Sequence, residues 1–487
     1  MYSLAQVNEL PAAVPSGRVA PPRRGLVWVA GAALLITLTL VSSEAITQGQ
    51  VACAGLILII AIGAYLNWAA NRTTRAPIWP LFCGVHFIYY GLAIFSADRV
   101  SPSKYDHGAS LAESTLTKAM LVGVVGLLAV WLGRKAATHL PSQGGIRLRL
   151  LDIRPYTPFR IYLLLVLGTA GNVFVNRFFG GALFNVGVIL LDTIPLAAFL
   201  WLILAATVRG MSKVDLALLS VFFLSRMLSA AGGVSLTTIV VPPLLVGLAI
   251  VSANRRLPWA ILGLAALLFL FLQPSKGTVR AEAARAEGQG GSAAGLLLRW
   301  VELAASGWAD ALSGKTPLDS QFSGAASRSS LLTMTGVVLE KTPDVVPFQN
   351  GSMYPLLLQN IIPRIMWPSK PTMNEANRFF QVKYGLTEEE DLSSVSMACG
   401  FEAEGYMNFG WFGVIAVGLF VGIAFKFYEC TFFARNCSLA ATALGLSLLP
   451  GFLSIESQLV GYLGGILQVV AAAAIIFCDS QDPALER

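Results

Sequence analysis

Apolar residues in this chain fall in long unbroken runs, not in the alternation of a half-buried strand or the three-four spacing of a soluble amphipathic helix. A helix crossing about 30 Å of hydrocarbon needs about 20 such residues, and runs of this kind recur about twelve times. They cover 25–43, 51–69, 78–95, 116–133, 159–176, 183–208, 214–229, 234–252, 258–273, 410–433, 438–456 and 458–478. The pattern predicts an all-α, polytopic integral membrane protein with about 12 transmembrane helices and one large extracytoplasmic loop containing short helices. In the long sixth run, Asp192 and Pro195 are expected to separate a re-entrant piece from a shorter span that begins near Thr193. Almost nothing separates the last two runs, which predicts a tight hairpin around Ile455, Glu456 and Ser457.

Composition agrees. Of 487 residues, 55% are hydrophobic and 13% charged, about half the ~25% of a soluble protein. Such a chain cannot cover a soluble surface, so disordered, fibrous and disulfide-stapled secreted classes are excluded. The net charge of +7 would suggest nucleic acid in a soluble protein. Here most of it reads as topology, and no nucleic-acid partner is expected. Arg18, Arg23 and Arg24 precede the first run, and Arg72 and Arg75 follow the second. Arg134, Lys135, Arg147, Arg149, Arg154 and Arg160 lie between the fourth and fifth, and Arg209, Lys213, Arg255, Arg256, Lys426 and Arg435 occupy later alternate loops. By the positive-inside rule both termini are cytoplasmic. The resulting layout is a tail at 1–24, helices one to nine over 25–273, an outer loop at 274–409, helices ten to twelve over 410–478, and a tail at 479–487. The first run is read as a retained span and not a signal peptide, because removing it would break the charge alternation. Cys53, Cys83, Cys430, Cys437 and Cys478 fall in or beside the runs and Cys399 alone lies apart, so no extracytoplasmic disulfide is expected within the chain. His86, His107 and His139 lie far apart and no Cys-x-x-Cys is present, which argues against a zinc or haem site and for no metal or cofactor.

The outer loop, roughly 136 residues, is of a length that signals function or disorder. It opens with Lys276, Arg280, Glu282, Arg285 and Glu287 before the glycine-rich 288-GQGGSAAG-295. Residues 293–312, with Trp300 and Trp308, predict an amphipathic helix lying in the outer interface. After Arg328, a second helix is expected from Leu331 to Leu339. From Thr342 the text becomes aromatic, proline-rich and basic, and 399-CGFEAEGYMNFGWFG-413 leads into the tenth run. A solvated structural cap is the plain alternative. Against it stands the repeated pairing of cations with Trp, Tyr and Phe, a mix suited to phosphate binding and stacking on sugar rings.

The run 362-IPRIMWPSKP-371, then Phe380, Tyr384-Gly385 and 402-EAEGYMNFGWFG-413, resembles the Wzy-type O-antigen and oligosaccharide repeat-unit polymerases. Arg328, Thr342-Pro343, Gly351 and Tyr354 fit the same pattern. The specific likeness covers about 90 residues, and the span layout extends it loosely to the whole chain. The resemblance implies a glycosyltransferase on the outer face of a bacterial inner membrane. Its partners would be an undecaprenyl-pyrophosphate-linked oligosaccharide donor and acceptor, membrane lipids, and a chain-length regulator and flippase of the same pathway.

That chemistry needs preorganised cations for the departing pyrophosphate, and arginine suits it because it is always charged and bidentate toward phosphate. Arg280, Arg285, Arg328, Arg364 and Lys370 are the loop candidates, with Arg364 first because Pro363 and Trp367-Pro368 would hold it rigidly. Trp367 joins them as a sugar-stacking candidate. Glu404, then Glu402, are the candidate general bases, and Tyr406 and Asn408 could orient sugar hydroxyls. Asp192 and Arg226 lie within runs, where ionisable groups are costly and often functional, unless they simply pair with each other. Arg177 is a third phosphate ligand or an interfacial anchor. Headgroup anchoring is the plain alternative for Arg364 and Lys370, and a loop-fixing ion pair the one for both glutamates. Competing readings are an O-antigen ligase and, from another class, a lipid-linked oligosaccharide flippase or transporter. The sequence contains no internal repeat of the transporter kind.

Overall fold

The computed structural model describes residues 47–138, 158–178, 187–254, 259–285, 293–317, 331–393, 397–463 and 468–469, less 72, 96–99, 233, 235, 360–361, 363–366, 368–369, 371–374 and 436. Among them the regular elements are helical. In chain order they are α1 Gln48–Asn71, α2 Ile78–His86, α3 Glu113–Ala136, α4 Pro158–Phe178, α5 Ile194–Arg209, α6 Lys213–Gly232, α7 Leu236–Asn254 and α8 Trp259–Leu272. They continue as α9 Lys276–Arg285, α10 Ala293–Leu312, α11 Leu332–Lys341, α12 Pro355–Gln359, α13 Glu375–Lys383, α14 Gly400–Phe432 and α15 Leu439–Leu453.

Among the described residues four helices are long and apolar enough to cross a membrane: Gln48–Asn71, Glu113–Ala136, Ile189–Thr207 and Gly400–Phe432. Phe159–Asn172, Ile239–Ala253, Gly263–Leu272 and Leu439–Leu453 are shorter apolar helices. The all-α membrane class stands, but the described helices do not amount to twelve full-length spans. The run 25–43 and most of 458–478 lie outside the described residues. The run 78–95 is helical throughout but changes type: α2 passes into a π-helical turn at Phe87–Gly91 and a 3-10 turn at Leu92–Phe95. In contrast, the expected division at Asp192 does not occur. A π-helical turn, Ile189–Thr193, runs directly into α5, so Pro195 lies inside a continuous helix, where its missing N–H leaves one upstream carbonyl without its usual partner.

The expected hairpin near Ile455 is present. Ser454 and Ser457 hydroxyls meet at 2.9 Å, and the Tyr462 hydroxyl donates to Phe452 O at 2.7 Å. A continuing helix would separate those two residues by about 15 Å, so the chain reverses there. Likewise α10 forms as the amphipathic pattern predicts, but its tryptophans face the protein. The Trp300 and Trp308 indoles donate to Leu272 O (2.9 Å) and Phe271 O (3.2 Å), terminal carbonyls of α8 that have no partner within the helix. Leu298 and Leu312 remain exposed on α10.

The element that decides the architecture is α14. It is two helices joined at Phe409 (φ −143°, ψ 23°) and Gly410 (φ +61°, ψ −143°). Only glycine adopts the second conformation without strain. Residues 400–408 place Glu402 against Gly126 of α3 and Met407 in the cluster with Leu116, Ala119 and Met120, so they run toward the Glu113 end of α3. The chain then turns. Gly413 packs on Gly405, Gly418 on Ala129, and Gly422 on Val130, and Glu429 meets Arg134 at the far end. Residues 400–408 are therefore a re-entrant half-helix, folded back on the span that follows and sharing with it one face of α3. Gly126 lies about 20 Å from the Glu113 end of α3 at 1.5 Å per residue, so Glu402 sits near mid-span.

Candidate functional site

The half-helix 400–408 ends at the turn with terminal carbonyls that lack helical partners. Backbone groups of residues 349–351, within the loop after α11, supply them. Gln349 N donates to Met407 O (3.0 Å) and Asn350 N to Asn408 O (3.2 Å). The Asn408 side chain completes the junction: its amide donates to Glu404 O at 2.8 Å, and its oxygen accepts from Gly351 N at 2.9 Å. Gly351 has φ +83°, and Tyr354 stacks obliquely near Phe409 at 6.4 Å. This segment is a strap across the end of the half-helix. A pocket of about 380 Å³ opens beside it, lined by Phe348, Asn350, Asn408, Phe409, Phe412 and Ala416.

A second set of contacts anchors the strap. Lys341, at the end of α11, pairs with Asp106, which Ser101 also contacts. Burial pushes the Asp106 carboxyl up, but the Lys341 and Ser101 hydrogen bonds outweigh it and hold the group below the ordinary aspartate value. The Tyr384 and Thr342 hydroxyls meet at 2.6 Å, and Ser103 donates to Tyr384 O at 2.7 Å. Burial raises the Tyr384 phenol, and burial followed by the Glu404 carboxylate raises that of Tyr354.

Glu402 and Glu404 are both fully buried. Two residues apart on a helix, they point to different neighbours. Glu404 Oε2 accepts from Leu459 N at 2.5 Å, where the chain re-enters helix after the hairpin. A carboxylate at a helix start satisfies an orphan N–H and favours the helix dipole, so this is an N-cap delivered from a distant helix. Its Oε1 has no hydrogen bond among the described residues. On the other side, Glu402 Oε1 lies 2.9 Å from His86 Nε2, both residues fully buried. The approach is not aligned as a hydrogen bond, and neither Glu402 oxygen nor either His86 nitrogen has an aligned partner among the described residues. A Cβ at position 126 would lie 2.5 Å from Glu402 Cγ, so glycine there makes the space the glutamate occupies. The half-helix turns both glutamates inward, Glu402 against α3 about midway along that helix and Glu404 against the chain after the hairpin.

The other sequence candidates scatter. Tyr406 is half-buried and meets Trp411 edge-on at 5.8 Å. Trp367 is half-buried, and Lys370 is buried with its ammonium donating to Ile362 O at 3.0 Å. Asp192 and Arg226 pair with each other, the latter on α6, away from the half-helix. Arg280 is exposed on α9. Arg177 and Arg285 fall in α4 and α9, but their side chains lie outside the description, and Arg328 and Arg364 lie outside the described residues altogether. Sequence reasoning passed over His86 as one of three scattered histidines. Its place in the third apolar run, where an ionisable group is expensive, was the available signal.

A family model described as a domain of unknown function (DUF8712) matches residues 161–430, more than half of the chain, and the chain belongs to that family. No curated protein matches it, and no solved structure does.

Proposed function

We propose that this protein is a membrane glycosyltransferase of the Wzy type, which joins oligosaccharide repeat units carried on undecaprenyl pyrophosphate on the outer face of a bacterial inner membrane. The observation that carries the reading is the meeting of two sequence segments that bear the resemblance. Gly351 and Tyr354 of the strap close on Asn408 and Phe409 of the half-helix, more than 50 residues away in the chain, beside an aromatic pocket with two asparagine amides. In this reading about twelve spans place both termini in the cytoplasm and the loop from residue 274 outside, with the half-helix 400–408 folded back inward at its end. The acceptor hydroxyl attacks the anomeric carbon, the glycosyl–pyrophosphate bond breaks, and the hydroxyl proton passes to a carboxylate, Glu404 or Glu402. Arg364, with Arg280, Arg285, Arg328 and Lys370, balances the pyrophosphate charge that develops.

Arg364→Ala and Glu404→Gln are each expected to abolish chain extension while the protein remains inserted. Full-length polymer from both variants would sink the site. Deletion of the gene, followed by gel analysis of surface polysaccharide, tests the function itself: single repeat units at the surface mark a polymerase, whereas polymer left on undecaprenyl pyrophosphate marks a ligase. A transporter is the second reading. Two interrupted helical segments, 400–408 and the hairpin after α15, meet near mid-span, as they do around transporter substrates. Repeat units trapped inside the cell would decide for it.

A further inference from the structure

His86 and Glu402 form a pair that the transfer reaction, with Glu404 as its proton acceptor, does not use. Both side chains are fully buried and 2.9 Å apart, at the junction of α2, α3 and the re-entrant half-helix. The groups around them offer no compensating charge, and Glu404, two residues on and also acting on Cys399, adds a second buried carboxyl. From the π-turn comes Tyr90, from the helix after the hairpin Tyr462, and from the residue before the half-helix Cys399, each close enough to feel the Glu402 charge. None is a cation, and none serves the carboxylate: the Tyr90 hydroxyl meets Thr335 at 3.4 Å, Tyr462 donates to Phe452 O, and Cys399 Sγ accepts from Gln458 at 3.5 Å. From α3 the neighbour is Gly126, which has no side chain. Phe82 and Phe401 complete the surroundings of the imidazole.

The charge states then order themselves. With one proton between them the pair is neutral overall, as carboxylate and imidazolium or as carboxylic acid and imidazole. With none it leaves a bare anion at mid-span, and with two a bare cation, both strongly disfavoured in hydrocarbon. We propose that His86 and Glu402 form an intramembrane proton-binding site that holds a single proton, and that bulk pH does not change its occupancy while the half-helix stays packed on α3. Any step that lifts the half-helix away would expose the pair to water and exchange that proton, which couples movement of this segment to proton uptake or release. The inference does not depend on the transfer reaction.

The test uses the full chain in lipid nanodiscs, with His107→Gln and His139→Gln so that His86 is the remaining imidazole. Nitrogen-15 histidine spectra are recorded from about pH 5 to about pH 9, with a denatured sample as control, since free imidazole titrates near 6.5. The expected result is an unchanged His86 spectrum in the folded protein and a full titration in the control. Titration of His86 in the folded protein near the ordinary midpoint would overturn the proposal. In the second arm, His86→Gln leaves Glu402 alone, and the proton must then reside on it. A carboxylic-acid carbonyl band is expected in the infrared spectrum of His86→Gln at neutral pH that His86→Gln/Glu402→Gln lacks, which separates it from any band of the buried Glu404. A His86→Gln protein that folds without that band would also overturn the proposal. If it fails to insert, the histidine spectra decide alone. Absence of any polysaccharide phenotype on gene deletion would remove the enzymatic reading and leave this one untouched.

Discussion

Asn408→Ala opens the strap. Asn408 is fully buried, and both ends of its amide are used, one on Gly351 N at 2.9 Å and one on Glu404 O at 2.8 Å. Alanine removes both partners and provides neither donor nor acceptor. Each orphaned buried group costs about 1–3 kcal/mol, and the Glu404 carbonyl keeps a second lone pair, so a total near the low end, about 3 kcal/mol, is the working figure. At about 1.4 kcal/mol per factor of ten, the open-strap population rises roughly a hundredfold. Hydrogen exchange on the full chain in nanodiscs reads this directly, as faster exchange at Gln349, Asn350 and Gly351 with α3 unchanged as internal reference. Asn408→Asp separates shape from chemistry. It keeps the acceptor for Gly351 but sets an oxygen against Glu404 O, so it should open the strap as well. Exchange in the strap that matched wild type in both variants would refute the argument that this side chain holds the junction.

Three further outcomes follow from the same geometry. In Gly413→Ala a Cβ would come 1.9 Å from Gly405 O, a backbone atom that cannot swing aside, so the variant should lose more than the about 1–3 kcal/mol of ordinary overpacking; Gly84→Ala, where nothing lies within 4 Å, serves as the neutral control in a thermal-melt comparison of monodisperse protein. Arg134→Ala removes the two guanidinium contacts of 2.8 and 3.1 Å from Glu429, which is 1% exposed, and leaves it only the longer Lys426 pair at 4.0 Å, at a cost near the low end of about 3–5 kcal/mol, and Arg134→Ala/Glu429→Gln should recover most of it; a neutral single variant contradicts this. For Asp106 the sign is that of a depressed carboxyl: its contribution is present above the unfolded value of about 3.9 and is lost as pH falls through the lower folded value. Proteolysis near Lys341 should therefore accelerate only in strong acid, and Asp106→Asn should be sensitive at every pH.

What could be read from the sequence was whatever depends on a local pattern. The helix Ala293–Leu312 was predicted within its observed bounds because a 3.6-residue period reports directly on a two-sided environment. The reversal after α15 was predicted because almost nothing separates the last two apolar runs around Ile455, Glu456 and Ser457. The re-entrant half-helix was not. Gly-Phe-Glu-Ala-Glu-Gly-Tyr-Met-Asn contains two carboxylates in nine residues, and on composition alone it belongs outside the hydrocarbon. What makes its burial tolerable is contributed from elsewhere: His86 from α2, the vacancy at Gly126 on α3, the Leu459 amide after the hairpin, and the Asn408–Gly351 lock. Spacing misled in the same place. Glu402 and Glu404 read as alternatives for one role, whereas the helical rotation between them sends one to an imidazole and the other to a helix start. The two carboxylates therefore have different physical demands, and they predict different failures. Loss of Glu404 removes the cap from the start of the helix after the hairpin, whereas loss of Glu402 leaves that cap in place and removes the acidic partner of His86.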